Sequence, residues 1–226
     1  MWLPWRRSRI ELIDGPEENE KDAPERPILS CRSPGFQTVV AALPSDGSCR
    51  VLDLGPAIGD NVTFISSIAD ALQIVDLFGV GSGEGEAEFA TVDTGLATLR
   101  NLDRTEHRSF HLVFTWAMFD YLPDARAREV LEAVGNLCRP GALLHAIVHA
   151  TDTMPDIPTR YRILGDDRLA CEPPTSDRRG APNRTPAAVD GLLEGFDIEH
   201  SFVLRHGVRE YVAIRTSENV GKRKEE

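Results

Sequence analysis

Positive charge is in short supply in this sequence. Lysine and arginine total 25 against 36 aspartates and glutamates, a formal net charge of −11. The field of such a chain repels phosphate backbones, so no nucleic acid partner is expected. Long apolar runs are also missing. None approaches the ~20 residues that a membrane helix needs, so no membrane span is expected. Cysteine is sparse: Cys31, Cys49, Cys138 and Cys171 form no C-x-x-C pair. That pattern suits neither a zinc site nor a disulfide framework, and four reduced thiols and no metal are expected. The arginines at 6, 7 and 9 are followed by polar sequence rather than the ~7–15 apolar residues of a secretory signal, which predicts a cytoplasmic protein.

What remains is ordinary globular material. Apolar residues make up 41% and charged residues 27% of 226, enough for one α/β domain with a short extension. Residues 1–28, acidic and carrying Pro16 and Pro24, read as a flexible arm. Residues 29–216 read as the domain, and 217–226 as a charged tail. Within the domain, GFQTVVAALP (35–44) predicts a short helix. CRVLDLG (49–55) predicts a buried strand, NVTFISSIADAL (61–72) a helix and LQIVDLFG (72–79) a second strand. EFATVD (88–93) is expected to be a third strand and LATLRNL (96–102) a short helix. FHLVFTW (110–116) is a strand. DARAREVLEAVGNLCRPG (124–141) is a helix with Asp124 as its N-cap, stopped by Arg139-Pro140-Gly141. ALLHAIVHA (142–150) is a strand, and 151–185 an insertion with a hairpin at RYRILGDDRLACEP. Thr185 and Pro186 open a helix. FDIEHSFVLRHG (196–207) and REYVAIR (209–215) pair antiparallel. The alternation predicts a doubly wound, mostly parallel seven-stranded sheet ending in an antiparallel hairpin.

In open parallel sheets, ligands bind at the carboxyl ends of the strands. The first such end reads Asp53-Leu54-Gly55-Pro56-Ala57-Ile58-Gly59, where Gly55 and Gly59 let the backbone turn and approach a ligand. The second ends in Asp76, 23 residues after Asp53, a spacing at which an acid accepts hydrogen bonds from a ribose diol. VLDLGPAIGDN followed by IVDLFG resembles the first two motifs of class I S-adenosylmethionine-dependent methyltransferases, similar in particular to bacterial members with a Leu-Gly-Pro-Ala core. The acid before Gly55 separates it from the nicotinamide-dinucleotide fingerprint. FHLVFTWAMFDYLPD, NLCRPGALL and GFDIEHSFVLRHGVREYVAIR extend the resemblance over about 45–215. It implies a methyltransferase fold and S-adenosylmethionine as cofactor. Asp53 would then face the methionine end, with Gly55, Ala57 and Gly59 as its floor. Asp76 would hold the ribose, Leu77 and Asp93 the adenine, and Thr115 and Trp116 would lie beside the methyl group. Ala57 stands where the family usually has glycine.

Methyl transfer needs a placed nucleophile, and a base only when that nucleophile is protonated. His149, with Asp152 close behind, is the candidate base. His145 and His149 lie on one face of a strand, ~13 Å apart at 3.3 Å per residue, too far to share a metal. The plainer reading is two packed or surface histidines. Either Asp120 and Tyr121 line an acceptor pocket, or Tyr121 and Leu122 are the first core contacts of the next helix. Arg160, Arg162, Arg168, Arg178, Arg179 and Arg184 either receive an anionic acceptor or are balanced by Asp166, Asp167 and Asp177. The expected function is methyl transfer to a small molecule. The alternative is an inactive methyltransferase-fold binding or scaffold protein.

Overall fold

Strand burial and helical periodicity together divide the interior into two layers. The computed structural model describes residues 29–44, 48–79, 86–106, 109–172, 177–204 and 207–216. The expected arm at 1–28 and tail at 217–226 lie outside them. The chain starts with β1 (Leu29–Arg32) and α1 (Pro34–Ala41), whose N-cap Ser33 accepts a hydrogen bond from the Phe36 amide. Then come β2 (Arg50–Asp53), α2 (Gly59–Ile68) and β3 (Ala71–Ile74).

The next element departs from expectation. Residues 88–93 are not a third strand; they belong to α3 (Glu86–Glu106), which also absorbs the short helix expected at 96–102. Val92, Leu96 and Leu99 are buried at helical spacing. That period outweighs the strand-like composition of a six-residue window. The main sheet therefore has six strands among the described residues, not seven.

β4 (Phe110–Trp116) is buried at every position but one. After it come α4 (Met118–Tyr121) and α5 (Asp124–Leu137). Pro123, not Asp124, holds the cap position of α5, and Asp124 sits in the first turn, where its charge still favours the helix N-terminus. Arg139-Pro140-Gly141 does not lie in the helix. The chain passes from Leu137 directly into β5 (Cys138–His149), and the register on β4 jumps from Phe110↔Cys138 to Leu112↔Leu143 across Gly141, at φ +79°.

The insertion holds β6 (Thr153–Pro155), the expected hairpin as β7 (Arg160–Gly165) and β8 (Arg168–Glu172), and β9 (Arg178–Gly180). α6 (Pro186–Leu192) is capped by the Thr185 hydroxyl, which accepts from the Ala188 amide at 3.2 Å. β10 (Phe196–Val203) and β11 (Val208–Arg215) form the expected antiparallel pair.

The six-stranded order is β10-β11-β5-β4-β2-β3. β3, β2, β4 and β5 run parallel, and β11 returns antiparallel on β5. One face is covered by α3, α5 and α6 through Leu99, Val130, Val134 and Leu192. The other is covered by α1, α2 and the small antiparallel sheet β1-β8-β7, through Phe36, Ile65, Tyr161 and Leu169. Among the described residues, no helix is long and apolar enough to cross a membrane.

Candidate functional site

The parallel strands β2 and β4 are neighbours, with Asp53 opposite Phe114. Asp53 closes β2 and is only 1% exposed. Leu52 and Leu54 on either side point into the α3/α5 layer, so strand alternation aims Asp53 at the opposite face. One of its oxygens, Oδ1, accepts from the Gly55 amide at 2.8 Å and from the Trp116 indole Nε1–H at 2.6 Å. Among the described residues, no cation is bonded to it. Burial raises its pKa to about 6; the hydrogen bonds from Trp116 and Gly55 oppose the rise, and the charge of Asp76 adds to it.

Trp116 ends β4 at φ +48°, in the left-handed region that side chains avoid. That backbone turn lays its indole over Gly55. A Cβ on Gly55 would stand 2.6 Å from Trp116 Cδ1 and 2.7 Å from Nε1, so only glycine accommodates the ring. The indole is stacked on Phe114, with centroids 5.2 Å apart, and on Tyr161, 5.7 Å away and within 5° of parallel. Phe36 extends the stack beyond Phe114 at 5.6 Å. Tyr161 comes from the insertion. Its strand is fixed to α2 by Asn61, whose side-chain amide donates to the Tyr161 carbonyl at 2.8 Å and accepts from the Ile163 amide at 2.7 Å.

The other residues singled out in the sequence are more dispersed. Asp76 is half-buried just beyond β3, and its Oδ1 accepts from the Phe78 and Gly79 amides, both at 3.0 Å. Ala57 and Gly59 are exposed, and a Cβ on Gly59 would meet nothing within 4 Å. Leu77 is fully buried in the α3/α5 layer, against Gly95 of α3. Asp93 lies exposed on α3 and pairs with Arg126 at 2.7 Å. The structure therefore brings Asp53, Gly55 and Trp116 together and leaves Leu77 and Asp93 outside that group. Thr115 is buried, its hydroxyl donating to the His145 carbonyl at 3.1 Å.

Two buried acid–histidine pairs lie on the same face. Asp120 Oδ2 accepts from both the backbone N–H and the Nδ1–H of His149, at 2.7 and 2.8 Å. Asp120 thus fixes the His149 proton on Nδ1 and leaves Nε2 as the acceptor. Tyr121 instead donates its hydroxyl to the Pro155 carbonyl at 3.0 Å. His145 Nε2 stands 3.6 Å from Glu210, which also binds the Ser33 hydroxyl and accepts from the Gly35 amide at 2.8 Å. The arginines of the insertion are largely engaged. Arg162 pairs with Glu172 at 2.6 Å, Arg178 binds Thr153, Arg179 lies 4.8 Å over the Tyr121 ring, and Arg184 binds the Phe119 and Leu122 carbonyls. Tyr161, Asn61 and Glu210 carried no sequence signal, because each acts through partners distant in sequence.

No protein-family model matches the chain, and no curated protein matches its sequence. Among solved structures, it is similar to an S-adenosylmethionine-dependent methyltransferase from Methanosarcina mazei, with 13% identity and a TM-score of 0.50 over 80% of this chain and 98% of that one. It is also similar to an S-adenosylmethionine-dependent methyltransferase from Mesorhizobium loti, with 18% identity and a TM-score of 0.47 over 79% and 96% of the two chains. A third is the Burkholderia thailandensis 1,6-didemethyltoxoflavin-N1-methyltransferase, with 18% identity and a TM-score of 0.46 over 81% and 79%. At such identities the likeness is one of fold alone, shared with the Methanosarcina mazei protein.

Proposed function

We propose that the chain binds S-adenosylmethionine at the carboxyl ends of β2 and β3 and supports methyl transfer to a small molecule. The observation that carries this reading is the Asp53 carboxylate, buried beside a glycine floor and bonded, among the described residues, only to neutral donors. Burying an anion without a cation is costly. Such a group is retained where a ligand brings the missing positive charge. A ligand with an ammonium group and a sulfonium supplies it.

The residues fit the two polar ends of that cofactor. Asp53 would take the ammonium, Asp76 the ribose diol, and the open turn at Ala57 and Gly59 would border the chain between them. One side chain does not fit: Trp116 donates to the same oxygen of Asp53 and covers Gly55. Binding of the methionine end therefore requires the indole to leave Asp53. When bound, the cofactor supplies an electrophilic methyl group open to in-line displacement. The chain's own part is to hold the acceptor and take its proton. His149 would serve the second task through Nε2, with Asp120 holding the ring. The engaged arginines lend no support to an anionic acceptor, and the net charge of −11 opposes nucleic acid.

Trp116 favours a second reading, in which the same fold serves as a binding or scaffold protein without catalysis. The left-handed backbone, the ring stack and the bond to Asp53 together fill the place of the methionine end. Calorimetric titration with S-adenosylmethionine separates the two. On the first reading the wild type binds, Trp116→Ala binds about tenfold more tightly because the competing donor is gone, and Asp53→Asn loses at least tenfold. Absence of heat from both wild type and Trp116→Ala at millimolar cofactor establishes the scaffold reading instead.

A further inference from the structure

β1 and β8 pair antiparallel, with Leu29 opposite Cys171 and Cys31 opposite Leu169. Cys31 and Cys171 are therefore diagonal neighbours on one face of the small sheet. Their sulfur atoms are 3.7 Å apart, although 140 positions separate them in sequence. Both are half-buried, whereas Cys49 and Cys138 are buried. Diagonal strand neighbours lie about 7–8 Å apart, so closing the gap to the ~2.05 Å of a disulfide takes side-chain rotation together with a small approach of the β1 and β8 backbones. On the next strand, Cys171 stands directly opposite Tyr161, the ring stacked on Trp116. The pair thus lies beside Tyr161, the cover of the Asp53 site.

We propose that Cys31 and Cys171 form a reversible disulfide that staples β1 to the β7–β8 hairpin, with a low-molecular-weight disulfide as the oxidant. The Cys31 thiolate attacks one sulfur of the oxidant, forming a mixed disulfide and releasing one thiolate. Cys171 then loses its proton and attacks Cys31, releasing the second small thiol. Two protein thiols become one disulfide, and one small disulfide becomes two small thiols. The hydrogen bond shared with Cys171 holds the Cys31 thiol below its ordinary pKa, which favours Cys31 as the first nucleophile. The reaction does not depend on whether the cleft takes S-adenosylmethionine.

The full chain, incubated with oxidised or reduced glutathione and then alkylated and digested, tests this by mass spectrometry. The expected product is a 31–171 linked peptide, at least tenfold more abundant than any other cysteine pairing and absent after reduction. Amide exchange over 160–163 should slow at least threefold in the oxidised chain. Cys171→Ser should accumulate a glutathione adduct on Cys31. Recovery of Cys31 and Cys171 as separately alkylated or separately glutathionylated residues in the oxidised wild type would overturn the disulfide. A linked peptide with unchanged exchange over 160–163 would overturn the stapling.

Discussion

The two faces of the main sheet are built from different chemistry. Toward α3, α5 and α6 the layer is hydrocarbon, with Leu52, Leu54, Leu77, Leu99, Val130 and Val134 in one cluster. Toward α1, α2 and the insertion, the strands carry Asp53, His145, His149 and Glu210, all buried. The first face needs nothing but area removed from water. The second buries charges and polar groups whose desolvation its hydrogen bonds only partly offset. Buried ionisable groups of this kind make the polar face the candidate site.

The largest effect should come from the plain face. Leu99→Ala removes a fully buried side chain, and a loss of about 3–4 kcal/mol is expected in urea unfolding, equal at pH 5 and pH 8. A pH-dependent loss there would break the contrast between the faces. Asp53→Asn should act in the opposite direction. An acid whose folded pKa is raised from 3.8 to about 6 stabilises the fold most below pH 4, and that contribution is lost as pH rises through 6. The interval corresponds to about 3 kcal/mol. Asparagine is neutral throughout, so Asp53→Asn should match the wild type at pH 4 and exceed it by about 2–3 kcal/mol at pH 8. Equal unfolding midpoints at both pH values would show that Asp53 bears no such burden.

Smaller changes sharpen the picture. Asn61→Ala deletes both bonds to β7, with an expected loss of about 2 kcal/mol and faster amide exchange confined to 160–165. Thr185→Ala removes the α6 cap and should cost about 1 kcal/mol, visible in the unfolding midpoint with no change in exchange over the insertion.

How much of this was legible in the residue order differs between elements. The apolar run at 110–116 and the Thr185-Pro186 start are local signals, and both appear where expected. Residues 88–93 misled because a six-residue window of strand-like composition hides the longer period of Val92, Leu96 and Leu99. The hairpin at 160–172 was visible as a hairpin, yet nothing local said that its first strand would stack Tyr161 on Trp116.

The amino-acid order alone determined the alternation of strands and helices, the glycine turn after Asp53 and the acid 23 residues beyond it, because propensity, periodicity and turn chemistry act over a few residues. Tertiary structure decided the rest. It put Trp116 on the Asp53 carboxylate, Asp120 on His149 and Cys31 beside Cys171. Each of these is a contact across 29 to 140 positions. Such contacts depend on strand order and register, which are settled only when the whole sheet assembles.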